Sequence, residues 1–325
     1  MNPASVTRLC SNRPVFTVSR LSENIRWERL DLPERATEGG ASLVVGSINR
    51  GEPRATILAG VHGDEGPWGA WAIHRFLSST EVDELAGSIK IIPAANPLAM
   101  EADSRVAPLD SLDLNRVFPG DRSGSYTQRL AATITSYSLE DADYVIDLHG
   151  GGSWCVNSFA FVFPGSEVLA EAFNPPFLLE SPLREGTVTG YASNLGSKVT
   201  SVEMGGRCVN EGLWAQRIGD GLKNALGEAG VLFSLASYKK ESILVGPSCV
   251  LRPSRGGVFV PEIDESSVGT MVKNGTLLGR LVDPATMYTH EEFVAPFPDT
   301  ALLLLRPRLA VVEGGAMTYV VAPLR

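Results

Sequence analysis

Cysteine is scarce in this chain. Cys10, Cys155, Cys208 and Cys249 are scattered over 325 residues with no Cys-x-x-Cys pair. Neither a zinc ribbon nor a disulfide framework is indicated, and reduced thiols in a cytoplasmic protein are the expectation. Runs of Lys and Arg are also missing, and the formal net charge is -9. That excludes the basic surface a nucleic acid or an anionic membrane would need. No stretch approaches the ~20 apolar residues of a membrane span. Residues 1–14 lack the apolar core of a signal peptide. Gly-x-Gly-x-x-Gly and Gly-x-x-x-x-Gly-Lys are absent, so no nucleotide cradle is expected. Gly-x-Ser-x-Gly is absent too, which counts against a serine hydrolase.

What remains is an ordinary globular composition, 44% hydrophobic and 20% charged. The length suits one large domain, or a large and a small one. Segments 42–48, 55–59, 88–93, 144–148, 159–163 and 198–202 read as strands, and 25–30 alternates like an edge strand. Helical spacing covers 67–78, 126–139, 166–173, 191–195 and 211–229, with Pro67 suited to a first turn. Residues 98–124 read as a long loop, a functional segment expected to order on substrate binding. After about 237 short alternating segments broken by Gly and Pro take over, with Asn274-Gly275 as a hairpin turn. The predicted architecture is α/β, a mixed and largely parallel sheet flanked by helices over 1–237, followed by a smaller all-β domain over 238–325.

Four of the predicted strands end in chemistry. Strand 55–59 leads to His62 and Glu65, 88–93 to Asn96, 144–148 to His149, and 198–202 to Glu203. Sites in open α/β sheets form at the carboxyl ends of strands. Two imidazoles and a carboxylate are a donor set used by catalytic zinc, with a fourth position left for water. Glu203 is the candidate to take the water's proton and hand it to a leaving amine. Arg105 or Arg116 can face a developing oxyanion. Arg116 beside Asn115 suits bidentate binding of a substrate carboxylate. Asp147, two residues before His149, can orient a ligand imidazole. Glycines 150–152 offer backbone room beside a metal. Trp154 reads as an acyl-pocket wall or a core residue. His74 and His290 read as surface or packing residues.

His62-Gly63-Asp64-Glu65, Asn96-Pro97, Asp113-Leu114-Asn115-Arg116-x-Phe118-Pro119-Gly120, Asp147-Leu148-His149 and Val202-Glu203-x-Gly205 together resemble the succinylglutamate desuccinylase/aspartoacylase family. That family is a branch of the zinc carboxypeptidase-like fold. The resemblance runs from about 60 to 206 and extends to the β-rich tail. It implies one Zn2+ per chain on His62, Glu65 and His149, with Glu203 as base and proton shuttle. It also implies Arg105 on the oxyanion side and Asn115 and Arg116 as carboxylate binders. Some members close a tyrosine of the β domain over the substrate, and Tyr288 is the nearest match here. Members hydrolyse the amide of small N-acyl amino acids, so a small-molecule substrate is expected. Two alternatives stay open: a metallocarboxypeptidase acting on peptide C-termini, and a metal-binding or sensing protein without turnover. Self-association into a homo-oligomer is left open as well.

Overall fold

The computed structural model describes residues 19–32, 41–207, 210–233 and 241–325. Cys10, Cys208, the N-terminal 14 residues and the expected boundary at 237 lie outside these. In the first half, strands β1 (Arg26–Leu32), β2 (Ala41–Ile48), β3 (Arg54–Ala59), β4 (Ser88–Ile92) and β5 (Tyr144–His149) are interspersed with helices α1 (Leu21–Asn24), α2 (Gly66–Ser79), α3 (Pro97–Glu101) and α4 (Tyr126–Ile134). Then come β6 (Val156–Val162), α5 (Glu167–Ala172), β7 (Phe177–Glu180), α6 (Val188–Asn194), β8 (Lys198–Gly205) and α7 (Glu211–Glu228). The rest of the chain is β: β9 (Ile243–Val245), β10 (Cys249–Leu251), β11 (Gly257–Pro261), β12 (Met271–Lys273), β13 (Leu277–Val282), β14 (Thr289–Val294), β15 (Asp299–Leu305), β16 (Ala310–Val312) and β17 (Tyr319–Pro323).

The heart of the molecule is the parallel run β4-β3-β5-β8 within a 13-stranded mixed sheet. Its strands are buried without alternation because both faces are covered. Successive side chains go to opposite layers. Ile57, Ile146 and Val202 join Trp68, Phe76, Trp214 and Leu222 of α2 and α7. Leu58, Val145 and Val199 join Leu130 and Ile134 of α4 and Val188 and Ala192 of α6. Strand β1 is the antiparallel edge next to β2, as the alternation of 25–30 predicts. The segment 98–124 departs from a plain loop. It carries α3 and a single turn of tight helix at Leu114–Arg116, and Ala107, Leu114 and Phe118 are buried in the core.

The β-rich C-terminal third is divided between two sheets. Strands β11, β13, β14 and β16 form a separate four-stranded antiparallel sheet. Strands β9, β10, β12, β15 and β17 extend the large one, β15 pairing with β6 through Leu304↔Asn157 and Leu305↔Val156. Tyr319 of β17 ties the two sheets together. It is fully buried, its hydroxyl donates to the Leu278 carbonyl at 2.6 Å, and its ring lies edge-on to Phe259. Tyr319→Phe removes only the hydrogen bond and is expected to cost about 1 kcal/mol. Tyr319→Ala empties the seam and is expected to cost about 3–5 kcal/mol, read as loss of thermal stability. Equal stability of the two variants would mean that the ring is not what holds the sheets together.

Candidate metal centre

The carboxyl ends of β3, β5 and β8 lie side by side, with Ala59 opposite Leu148 and His149 opposite Glu203. After β3 the chain turns at Gly60 and makes one tight helical turn, Gly63–Glu65, before α2. The Glu65 N–H donates to the His62 carbonyl, which folds the Glu65 side chain back toward the imidazole. Gly63 is required there by space: a Cβ would stand 2.0 Å from the Ala99 carbonyl carbon.

His62, Glu65 and His149 are buried, and one donor atom from each lies within 4.8 Å of the others. His62 Nδ1 is 2.9 Å from Glu65 Oε1, and His149 Nδ1 is 2.8 Å from Glu65 Oε2. The outer nitrogens are also held. His62 Nε2 meets Asp113 Oδ1 at 3.1 Å, and His149 Nε2 meets Asp147 Oδ2 at 2.8 Å. The Gly150 N–H points at Glu65 Oε2.

Each imidazole therefore has a carboxylate at both nitrogens. Burial disfavours protonation of His62, yet Glu65 and Asp113 more than offset it and raise its pKa. For His149 burial is outweighed further by Asp147 and Glu65, and the pKa stands well above the ordinary histidine range. Burial alone would raise Glu65, but the His62 charge and the His149 hydrogen bond hold it below the ordinary carboxylate range. Two imidazole Nδ1 atoms turned toward one buried carboxylate form an arrangement that one divalent cation can occupy. Each Nδ1 would surrender a proton and offer a lone pair, while each Nε2–H stays on its aspartate. The donor set fits such an ion.

Around this cluster opens a cavity of about 490 Å³. Glu203 lines it, and burial lifts its carboxyl to about 7. Asn157 donates from Nδ2 to Glu203 Oε2 at 2.7 Å. Arg105 reaches in with Nη1 3.3 Å from Glu65 Oε1 and Nη2 2.9 Å from Asp113 Oδ2. Asn115 accepts the Val188 N–H at the start of α6, which turns its Nδ2 toward His149. Arg116 lines the cavity, its Nη1 donating to the Asn115 carbonyl. The structure thus brings His62, Glu65, His149, Glu203, Arg105, Asn115 and Arg116 to one place, with Trp154 in the wall.

One expectation is corrected. Asn96 does not face the cavity; it is fully buried and caps α3, accepting the Ala99 N–H. Asn-Pro is a helix start before it is a site signal. Tyr288 is not among the residues that line the cavity. It is 67% exposed on the turn before β14, in the separate sheet, with its ring against His290. Among the described residues, the C-terminal third contributes Leu304 and Met317 to the lining instead. Leu304 sits in the apolar strand β15 and Met317 in the loop before β17, and nothing in either stretch marks a site, so sequence reading passes over both. Asp113 and Asn157 carry no sequence signal for these contacts, although Asp113 opens the Asp113-Leu114-Asn115-Arg116 motif. The glycines 150–152 serve close packing: Gly152 has φ +60, and a Cβ there would meet Asp64.

Residues 52–225 match the model of the succinylglutamate desuccinylase/aspartoacylase catalytic domain. The chain belongs to this family. An N-alpha-acetyl-L-2,4-diaminobutyric acid deacetylase of Halomonas elongata is 34% identical over 140 residues, 42% of this chain and 41% of that protein. The match thus spans less than half of that relative's length. Two solved structures align over nearly the whole chain. A succinylglutamate desuccinylase of Silicibacter sp. TM1040 has a TM-score of 0.81 at 25% identity, covering 93% of this chain and 95% of its own. The product-bound ectoine utilization protein EutE (DoeB) of Ruegeria pomeroyi has a TM-score of 0.81 at 25% identity, covering 92% and 95%. The zinc carboxypeptidase-like fold expected from the family motifs is the fold observed. Among the described residues, no helix is long and apolar enough to cross a membrane.

Proposed function

We propose that this protein is a zinc-dependent deacylase that hydrolyses the amide bond of a small N-acyl amino acid or related N-acylated amine. The observation that carries the reading is the meeting of His62, Glu65 and His149 with Glu203 in one cavity. Two imidazole nitrogens and a carboxylate suit zinc among common divalent ions. A zinc ion held there supplies a Lewis acid for the scissile carbonyl and lowers the pKa of water.

The remaining chemistry belongs to side chains. Glu203 takes a proton from the attacking water and delivers it to the amine nitrogen as the C–N bond breaks. Burial raises its carboxyl and a bound cation lowers it again, opposing effects that suit a group that must both take and return a proton. Arg105 stabilises the developing oxyanion. Asn115 and Arg116 bind the substrate carboxylate, and Arg184 adds a third guanidinium to the lining. The cavity volume falls in the range of about 300–1,000 Å³ usual for small-molecule sites, which favours a small substrate over a peptide C-terminus. A base beside the donor set, Glu203, speaks against metal binding without turnover.

A panel of N-acetyl, N-formyl, N-succinyl and longer N-acyl amino acids, with N-acetyl-2,4-diaminobutyrate included, tests the reading. Release of free amine is expected with at least one member, abolished by a chelator and restored by zinc. Cleavage of C-terminal residues from peptides, with no amino acid conjugate turned over, would select the peptidase instead.

A further inference from the structure

We propose that Asn157 is the positioning residue for Glu203, holding one carboxylate oxygen so that the other is left for proton transfer. This rests on the reading of Glu203 as the proton carrier. Among the described residues, Asn157 is the one hydrogen-bond donor to the Glu203 side chain, with Nδ2 2.7 Å from Oε2. It is 3% exposed and lines the same cavity. A reversed amide would set Oδ1 against the carboxylate, so donation from Nδ2 is the orientation that the charge selects.

The backbone builds this contact from two sides. Strand β6 lies antiparallel to β8 with Asn157 opposite Gly205 and Phe159 opposite Glu203. Asn157 and Phe159 share a face of β6, which sets the amide diagonally across from Glu203. On its far side β6 meets β15, where Leu304 is the rung opposite Asn157 and also lines the cavity. A glutamate has three side-chain torsions and, unheld, spends most of its time out of reach of the reacting atoms. A hydrogen bond to the charged carboxylate is the stronger kind, and among the described residues no hydrogen bond reaches Oε1. A misplacement of about 1 Å can cost ~10²-fold in rate.

The test uses the zinc-loaded full chain and the most rapidly cleaved member of the amino acid panel. Asn157→Leu keeps nearly the same volume and Asn157→Ala introduces no charge; both lose the donor. In both, kcat is expected to fall by about 10–10²-fold with KM little changed, as for a misplaced catalytic group. Zinc content and thermal stability should match the unsubstituted protein. In a Glu203→Gln background the same substitutions should add no further loss, because no carboxylate remains to be positioned. Should Asn157→Leu fail to fold, Asn157→Ala decides. Full kcat in the Asn157 variants beside an inactive Glu203→Gln would overturn the proposal and leave the role of Glu203 standing. Independent, additive losses in the double variants would overturn it as well. An active Glu203→Gln would instead remove the reading beneath it.

Discussion

Glu203→Gln is expected to lower kcat by at least ~10²–10⁴-fold, the usual contribution of general acid–base catalysis. Zinc should stay near one per chain. Gln has the shape of Glu and can still accept from Asn157 Nδ2 through its carbonyl oxygen. What disappears is the capacity to take a proton from water and return it to the amine. KM should change little, because substrate contacts reside in Asn115, Arg116 and the cavity walls. Stability should not fall either: a carboxyl that burial lifts to about 7 is a strained charge in the folded protein, and a neutral amide relieves it. The sign for pH follows. A protonated Glu203 cannot act as base, so kcat/KM of the unsubstituted protein should decline as pH drops through the Glu203 pKa. Bound zinc adds positive charge and draws that pKa down, placing the acid limb below 7. Turnover by Glu203→Gln at anything near the parent rate would remove Glu203 from the mechanism.

The parts of the fold that the sequence foretold are those decided locally. The strands at 55–59 and 144–148 are largely apolar on both faces, and 198–202 is rich in β-branched residues, so each reads as a strand. Helix α2 announces itself through Pro67 and its periodic Trp68, Ala72 and Phe76. The rest depends on distant partners. Strand β7 spans four residues, too few for a period, and exists because β6 and β9 flank it. The division of the C-terminal strands between two sheets depends on which edge of β6 is left open, a fact no local pattern contains. The site divides in the same way. His62, Glu65, His149 and Glu203 could be grouped because each follows a recognisable strand. Asn96 also followed one, but its own backbone claimed it as a cap. Asp113 and Asn157 could not be grouped, since each acts through another side chain. Tyr288 was tied to the site by family likeness alone, and its turn lies in the other sheet.

His149→Ala is expected to weaken zinc binding by more than the ~10–100-fold that follows loss of an outer hydrogen-bond partner such as Asp147. The substitution removes one of three converging donors and leaves Asp147 buried with no imidazole against Oδ2. In the parent protein the affinity should depend steeply on pH. His62 and His149 both have raised pKa values, so at pH 6.5 their Nδ1 protons still compete with the metal. Affinity should therefore rise with pH and be lost as pH falls through these raised values, beginning above the ordinary histidine pKa of about 6.5. The metal-free state carries this dependence because the same carboxylates that orient the imidazoles also hold their protons. Binding also has a readout free of activity. An ion that binds only the folded chain stabilises it by about 4 kcal/mol at 1,000 times its Kd. Chelation should accordingly lower the melting temperature of the parent and leave that of His149→Ala unchanged. Equal shifts in both proteins, or full zinc retention by the variant, would take His149 out of the ligand set.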